Sequence, residues 1–181
     1  MKSVMISIKP KWCELIASGK KTVEVRKTRP KIEMPFKCYI YQTVDGRTNT
    51  VDILENNLGK VIGEFVCDNI YPIRYERDGF YVADLIDCKT SCLKPRDFIV
   101  YGKGKPLYGW SISGLIIYDK PKELSEFYKE DFHEVLSMYE DLFSIGVPTG
   151  CVVKYPPEPK KEDYILTRPP QSWGYCEEAE E

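Results

Sequence analysis

The stretch Gly19-Lys-Lys-Thr-Val-Glu-Val-Arg26 decides how the rest of the chain is interpreted. Side chains alternate between the two faces of a β-strand, so the two valines share one face, whereas Thr22, Glu24 and Arg26 share the other. Three hydrogen-bonding side chains in line, two of them ionised, are an unusual strand face for a small protein. The pattern predicts that these side chains either line a polar cleft or lie on the solvent-exposed surface.

The composition is that of an ordinary globular protein. Of the 181 residues, 43% are hydrophobic and 30% charged, and 26 basic and 28 acidic side chains give a formal net charge of −2. This balance argues against a protein that coats nucleic acid non-specifically, because such binding requires the neutralisation of many phosphates. A local basic cleft for one or two phosphates remains compatible with it. We expect one domain over residues 1–181, with insertions near residues 44–60 and 122–160.

The cysteine pattern indicates free thiols. Seven cysteines, at positions 13, 38, 67, 88, 92, 151 and 176, are an odd number at scattered spacings, which is typical of a protein in the reducing cytoplasm. They and the single histidine, His133, fit no zinc-site spacing, so we expect neither a metal nor a cofactor. A catalytic pair of Cys13 and His133 is rejected, since Cys13 lies on an amphipathic helix beside Trp12 and His133 in a distant helical region. No apolar run is long enough to span a membrane, and no signal peptide is expected.

Short strands and a few helices surround the opening stretch. A buried strand over residues 4–8 precedes a helix that Pro10 starts and Gly19 ends. Further strands are predicted over residues 21–27, 36–43, 61–66, 70–73, 108–118 and 151–155 and near residue 173, before an acidic tail from residue 177. A helix is predicted over residues 93–101, entered through Thr90 or Ser91, and one or two more within residues 124–143, whereas residues 79–86 are ambiguous. Without a regular β–α alternation, the pattern favours a mainly-β α+β fold, an open mixed β-barrel with peripheral helices.

Several segments together resemble a known family. Ile6-Ser-Ile-Lys-Pro10, Trp12, Leu15-Ile16 and Gly19-x-Lys21-x-x-Glu24-x-Arg26 are similar to the ASCH domain of the PUA-like barrel superfamily. Two later segments, Leu107-Tyr-Gly-Trp-Ser-Ile112 with Tyr118-Asp-Lys-Pro121, and Thr167-Arg-Pro-Pro-Gln-Ser-Trp173, resemble small bacterial and phage-borne members.

The resemblance implies a PUA-like open barrel that binds RNA, a nucleotide or a modified nucleoside. Its cleft would be lined by Lys21, Glu24 and Arg26. Trp110, Ser111 and Trp173 are the further expected ligand-binding residues, with Ser111 standing where phage-like members carry a histidine.

One branch of the superfamily is similar to an amidohydrolase that removes the acyl group of N4-acetylcytidine with a Lys, a Thr and a Glu. By this resemblance, Lys21 corresponds to the catalytic Lys and Glu64 to the catalytic Glu. Glu24 stands at the position of the Thr, so this chain departs from the family pattern there.

Simpler structural interpretations stand beside these functional ones. The charges of Lys21, Glu24 and Arg26 could pair with one another on a solvated strand face. Glu64 is predicted between two apolar neighbours on one strand face, where it is either a perturbed site residue or a rim carboxylate that faces water. Trp110 is expected in the core, whereas Trp173 is left open between core packing and base stacking.

Three hypotheses of function follow. The first is a module that binds a nucleotide, modified base or short single-stranded RNA. The second is the amidohydrolase, with Lys21, Glu64 and Glu24 as catalytic residues. The third is a protein-interaction module, of the kind associated with transcription, that uses the surface of residues 127–143, within the longer stretch 127–159 that the resemblance does not cover.

Overall fold

The computed structural model describes residues 3–44, 57–75, 81–82, 85–129, 132–144 and 157–179. Within these ranges the strands are β1 (Ser3–Ile8), β2 (Val23–Arg26), β3 (Phe36–Gln42), β4 (Val61–Cys67), β5 (Ile70–Tyr75), β6 (Tyr81–Val82), β7 (Leu107–Ser111), β8 (Ser113–Lys122), β9 (Phe127–Tyr128) and β10 (Trp173–Glu178). The helices are α1 (Pro10–Ala17), α2 (Leu85–Ser91), α3 (Pro95–Gly102), α4 (Phe132–Ser144) and α5 (Lys161–Tyr164), with a 3₁₀ turn at Leu124–Glu126.

The first helix begins and ends where the sequence predicts. Pro10 occupies the first helical position, where its missing N–H leaves no hydrogen bond unmade. Gly19 lies just beyond the helix end with a φ of +70°, a left-handed conformation that glycine adopts without a steric penalty. The chain therefore reverses directly into β2, which starts two residues later than predicted.

Two sheets make the described part of the chain mainly β. Six strands form one sheet in the order β8-β4-β3-β1-β10-β9, and four form a second in the order β2-β7-β5-β6. The β1–β3 pair is parallel and the other pairs are antiparallel, so the larger sheet is mixed. It curls into a half-barrel with helices around it, which confirms the predicted fold class.

The core divides according to which sheet face it covers. One face of β1, carrying Val4, Ile6 and Ile8, packs with α1 and Trp110 in the largest cluster. Met5, on the opposite face, packs in a second cluster with residues of β3 and β9. A third cluster, of Val25, Ile73, Phe98 and Leu107, joins the four-stranded sheet to α3.

The long strand predicted over residues 108–118 is instead two strands in different sheets. β7 ends at Ser111, Ile112 connects, and β8 runs on from Ser113 to Lys122. Apolar content alone does not show where a chain crosses from one sheet to another. Pro121, expected to stop the strand, is tolerated because β8 lies at the edge of its sheet.

The start of α3 also differs from the prediction. α3 begins at Pro95, after the backbone N–H of Lys94 donates to Asp97 Oδ2 at 2.8 Å, whereas Thr90 and Ser91 end α2. The ambiguous residues 79–86 include β6 and the start of α2.

The region predicted as helical over residues 124–143 begins with a 3₁₀ turn and β9 instead. Phe127 and Tyr128 are buried and pair with β10, so α4 starts only at Phe132. The predicted acidic tail also belongs partly to β10, which ends at Glu178.

Some predictions lie outside the described residues: most of the insertion near residues 44–60 and the strand at 151–155. The six cysteines in the described ranges are all free. Among the same residues there is no group of three or more His, Cys, Asp or Glu side chains that could hold a metal ion. No helix in these ranges is long and apolar enough to cross a membrane.

A substitution at Gly63 tests how tightly β4 and β8 pack against each other. A Cβ at this position would lie 2.3 Å from the carbonyl oxygen of Ile116 and 3.1 Å from Ile117 Cα. We expect Gly63→Ala to lower the free energy of unfolding by about 2 kcal/mol, because backbone must move to admit the methyl group. Chemical denaturation measures the loss.

The matched control is Gly174→Ala in β10, where the new Cβ would lie 3.4 Å from Pro170 Cβ. This is an ordinary contact, so we expect a change within about 0.5 kcal/mol. Equal effects of the two substitutions would contradict the packing of β8 on β4.

Candidate functional site

The polar face of β2 is buried rather than solvated. Lys21 is 2% exposed, Glu24 7% and Arg26 8%. Thr22 is exposed and does not join them, because β2 begins only at Val23. Charges are buried in proteins only when they are paired or otherwise satisfied, so a solvated strand face is excluded and the partners of these three groups define the site.

Lys21 is hydrogen-bonded and charge-paired within the protein. Its ammonium donates to the carbonyl oxygens of Val23 at 2.9 Å and Ser91 at 2.8 Å. Its third contact is with Glu24 Oε2 at 3.2 Å. Two of the three N–H donors of the ammonium are thus used by carbonyls, and its charge is paired with Glu24. Lys21 therefore ties the end of α2 to the start of β2.

Arg26 connects β2 to the larger sheet. Its Nη2 donates to the carbonyl oxygen of Ser7 at 2.7 Å, and Nη1 donates to Ser172 Oγ at 3.3 Å. Its Nε lies 3.1 Å from Glu24 Oε1, an ion-pair distance at an angle too poor for a hydrogen bond. A guanidinium has five N–H donors, so part of this fork remains available to a ligand.

The Tyr101 side chain extends the same network toward α3. Burial raises the pKa of Tyr101, while a hydrogen bond with Arg26 and the charge of that residue oppose the rise. The Lys27 ammonium lies over the Tyr101 ring, 4.8 Å from the ring centroid. Tyr101 therefore bridges the buried arginine and an exposed lysine.

These groups line a cavity of about 550 Å³. Cavities of this size take small ligands. The lining comes from β1, α1, β2, α3 and their flanking loops: Ser7, Ile8, Lys9, Trp12, Lys21, Glu24, Val25, Arg26, Lys27, Thr43, Leu93, Asp97, Val100, Tyr101, Lys103 and Gln171. Five basic and two acidic side chains in this lining give a formal net charge of +3, whereas the whole chain carries −2. The cavity lining is thus positively charged although the whole chain is slightly acidic.

Glu64 lies away from this cavity, on the other face of the larger sheet. It stands opposite Tyr39, forms an ion pair with Lys37 at 3.0 Å and accepts a hydrogen bond from Tyr118 at 2.5 Å. Burial raises its pKa, but the hydrogen bonds from Tyr118 and Lys37 outweigh that effect and lower the pKa below its ordinary value.

A β-bulge accounts for the position of Glu64. The predicted two-residue alternation placed Ile62 on the same strand face, but the register shifts around residues 61–63 break that alternation. Ile62 packs in the cluster that contains Trp110, whereas Glu64 faces the opposite side.

The three other predicted ligand-binding residues do not line the cavity. Trp110 is fully buried, with its ring centroid 5.8 Å from that of Trp173, so the core interpretation of Trp110 holds. Trp173 also donates its Nε1–H to Thr28 Oγ1 at 2.9 Å. Ser111 bonds to Asp68 and to the backbone of Asn69, which holds the β4–β5 connection against the β7–β8 crossover.

Several lining residues were not predicted from the sequence. Trp12 was assigned only to the apolar face of α1, although its position just before the motif could have suggested a role in the site. Tyr101 and Lys103 come from the end of α3, about eighty residues further along the chain, and no local pattern linked them to the motif. Lys103 has a φ of +50°, which is unusual for a residue other than glycine.

The motif lies within a segment that matches a known family. Residues 6–78 match the model of the ASCH domain. The ASCH assignment applies to residues 6–78. The match covers the end of β1, all of α1 and the whole Lys21–Glu24–Arg26 motif, and it confirms the resemblance inferred from the sequence.

Solved structures agree with the ASCH fold. The crystal structure of an ASCH protein from Zymomonas mobilis aligns with a TM-score of 0.51 and 18% identity, covering 96% of this chain and 86% of that one. A serine-to-alanine variant of the same protein aligns with a TM-score of 0.51 and 17% identity, covering 96% and 87%. Among curated proteins, none matches this chain significantly. At this level of identity the likeness concerns the fold alone.

Glu24 balances two buried cations of this ASCH domain, so its charge should matter to stability. We expect Glu24→Gln to lower the free energy of unfolding by about 3 kcal/mol or more, because removing one partner of a buried ion pair leaves an uncompensated charge. Urea denaturation at neutral pH measures the effect.

The control is Glu123→Gln, which removes an ion pair with Lys60 whose side chains are 58% and 35% exposed. Exposed pairs of this kind contribute about 0–1 kcal/mol. A loss in Glu24→Gln no larger than that of the control would show that the Glu24 pair is not buried as described.

The lowered pKa of Glu64 makes a prediction about acid stability. Because the unfolded chain binds this proton more readily, the stabilisation is present above the ordinary pKa and is lost as the pH falls through the folded value. Tyr118→Phe removes one cause of the shift. The variant should be less stable than the wild type at neutral pH, by about 1 kcal/mol, and should lose less further stability on acidification.

Denaturation midpoints at about pH 7 and about pH 3 test this difference. Tyr175→Phe is the control, since its hydroxyl accepts from the backbone N–H of Lys31 and bonds no carboxylate in the described residues. Parallel pH profiles for the wild type and Tyr118→Phe would overturn the role given to Tyr118.

Proposed function

We propose that this ASCH domain binds a single nucleotide or modified nucleoside, either free or as an unpaired residue of a short single-stranded RNA. The observation that carries the proposal is the cavity of about 550 Å³, which combines a buried carboxylate–guanidinium pair, two aromatic side chains and a net positive charge. Each of these features matches one part of a nucleotide: the edge of its base, the face of its base and its phosphate.

Glu24 and Arg26 are suited to contact the edge of a base. A carboxylate accepts hydrogen bonds from an amino or imino group, and a guanidinium donates to carbonyl oxygens and ring nitrogens. Both are held by the protein before any ligand arrives, Glu24 between two cations and Arg26 on the Ser7 carbonyl. Such preorganisation reduces the entropy lost on binding.

Trp12 and Tyr101 supply aromatic surface in the same cavity. Stacking on an aromatic ring tolerates any base, because every base has a π-face. The identity of the base would therefore be set by the Glu24–Arg26 pair, and the stacking would add affinity.

The amidohydrolase alternative has less support in this geometry. The Lys21 ammonium already donates to two backbone carbonyls and forms an ion pair with Glu24, so it would have to give up a proton held by these contacts before it could act as a base or nucleophile. Glu64 faces the opposite side of the sheet, and Glu24 stands in place of the hydroxyl that the family uses.

The protein-interaction alternative rests on α4. This helix exposes Met138 and Leu142, but no feature of the described residues indicates a partner for them. We infer a cytoplasmic location from the free cysteines, which are typical of reducing compartments.

Calorimetric titration with the four ribonucleosides, their monophosphates, N4-acetylcytidine and short single-stranded RNA tests the proposal. We expect saturable binding with one site per chain to at least one member of this set. Absence of binding to every member would overturn the proposed function.

A variant of Trp12 tests whether the cavity is the binding site. Trp12→Leu should weaken binding about tenfold, because stacking of one base on an aromatic ring contributes about 1–3 kcal/mol. Trp12→Phe retains a ring and should keep most of the affinity. Since Trp12 is only partly buried, thermal unfolding should show both variants folded. Equal affinity of Trp12→Leu and Trp12→Phe would place the ligand elsewhere.

A further inference from the structure

We infer that the preferred ligand is a nucleoside monophosphate, whose terminal phosphate lies at the mouth of the cavity against Lys27 and Lys103. This inference rests on the proposed function, because it assumes that the Glu24–Arg26 pair contacts a base. It adds the chemical class of the ligand and a phosphate subsite.

The phosphate is assigned to the mouth because the deep cations are already engaged. Lys21 donates to two backbone carbonyls and forms an ion pair with Glu24, and its side chain is almost completely buried. Arg26 shares Glu24 with it and donates to the backbone of Ser7. A doubly charged phosphate placed there would compete with the Glu24 carboxylate for both cations and would meet its negative charge.

Lys27 is placed where a phosphate attached to a deeply bound base would emerge. It follows Arg26 directly in the chain, is exposed and lines the cavity. Its ammonium lies over the Tyr101 ring, and Tyr101 lines the same cavity as Arg26. The cation is thus separated from the base-contacting guanidinium by one tyrosine side chain, and it remains accessible to solvent.

Lys103 is the second cation of the subsite. It lies just past the end of α3 with a φ of +50°, a left-handed conformation that glycine would adopt without strain. The following residue, Gly104, also has a positive φ. A lysine in this position is unfavourable for the backbone, and the side chain lines the cavity. An ammonium needed at the cavity mouth explains why a lysine occupies a position that suits glycine.

The charge of the mouth matches a phosphate monoester. The inner cluster of Lys21, Glu24 and Arg26 has a net charge of +1, which leaves +2 for the other charged lining residues, Lys9, Lys27, Lys103 and Asp97. The Asp97 carboxylate also accepts a hydrogen bond from the backbone N–H of Lys94 at the start of α3, so part of its hydrogen-bonding capacity is already used within the protein. A phosphate monoester carries about −1.5 to −2 at neutral pH, whereas each phosphodiester of an RNA strand carries a single charge.

Paired titrations test the subsite separately from the base site. Each ribonucleoside and its 3′- and 5′-monophosphate are titrated into the full chain at low and high salt. For the base that binds, we expect one of the two monophosphates to bind at least tenfold more tightly than the nucleoside, because two cations contact the phosphate. This difference should shrink at high salt.

Charge-neutralising variants then locate the phosphate. Lys27→Gln/Lys103→Gln should bring the monophosphate affinity to within about threefold of the nucleoside affinity and leave the nucleoside affinity unchanged. The matched control is Lys31→Gln/Lys120→Gln, which removes the same charge from two exposed lysines outside the lining. The control should keep the full preference for the monophosphate.

Lys103→Gly separates binding from folding. The substitution removes the ammonium and relieves the left-handed backbone, so we expect the melting temperature to be unchanged or higher while the preference for the monophosphate falls. A loss of binding caused by misfolding would instead lower the melting temperature.

Each outcome has one consequence. Nucleosides that bind as tightly as their monophosphates would overturn the phosphate subsite and leave the proposed function standing. Short RNA that binds more tightly than any monophosphate would overturn the monoester assignment in favour of a strand. If Lys27→Gln/Lys103→Gln still preferred the monophosphate over the nucleoside, the phosphate would have to bind elsewhere. No binding of any compound would overturn both proposals.

Discussion

The buried contact of Glu24 with Lys21 and Arg26 is the constraint on which the rest of the site depends. Burying one carboxylate or one cation alone is very unfavourable, so these three groups can leave water only together. Their remaining bonds reach the Ser91 carbonyl at the end of α2 and the Ser7 carbonyl in β1. The cluster therefore holds β2 at the edge of the smaller sheet in a fixed position against the larger one.

The two faces of β2 consequently serve two purposes. Val25 packs with Phe98 and Leu107 in the cluster beneath α3, and Glu24 and Arg26 line the cavity. Packing on one face holds the strand, and this allows the polar face to be preorganised without a bound ligand. In the same arrangement Lys21 holds the site together rather than acting as a reactive group, because it is bound to two carbonyls and paired with Glu24.

How much of the site can be predicted from the sequence depends on whether its residues are close along the chain. Lys21, Glu24 and Arg26 lie within six positions, and the alternation of a strand predicts that Glu24 and Arg26 share a face. Lys21 breaks that alternation, since it precedes the strand and its side chain is free to turn toward Glu24. Tyr101 and Lys103 reach the cavity only because α3 packs on the smaller sheet. No short sequence pattern predicts that packing. Glu64 shows the opposite case, because a bulge in β4 breaks the alternation on which its predicted position depended.

By itself, the sequence determined the mainly-β class, the helix between Pro10 and Gly19 and the ASCH motif that follows it. These features follow from local rules: a proline fits the first turn of a helix, a glycine ends it, and strand side chains alternate. Only the tertiary structure decided that Trp173 packs against Trp110, that residues 107–122 form strands of two different sheets, and that Glu64 and Lys21 lie on different sides of the larger sheet. The reason is physical: sheet crossings, bulges and the meeting of distant loops are set by which surfaces can be buried together, and that depends on the whole chain at once.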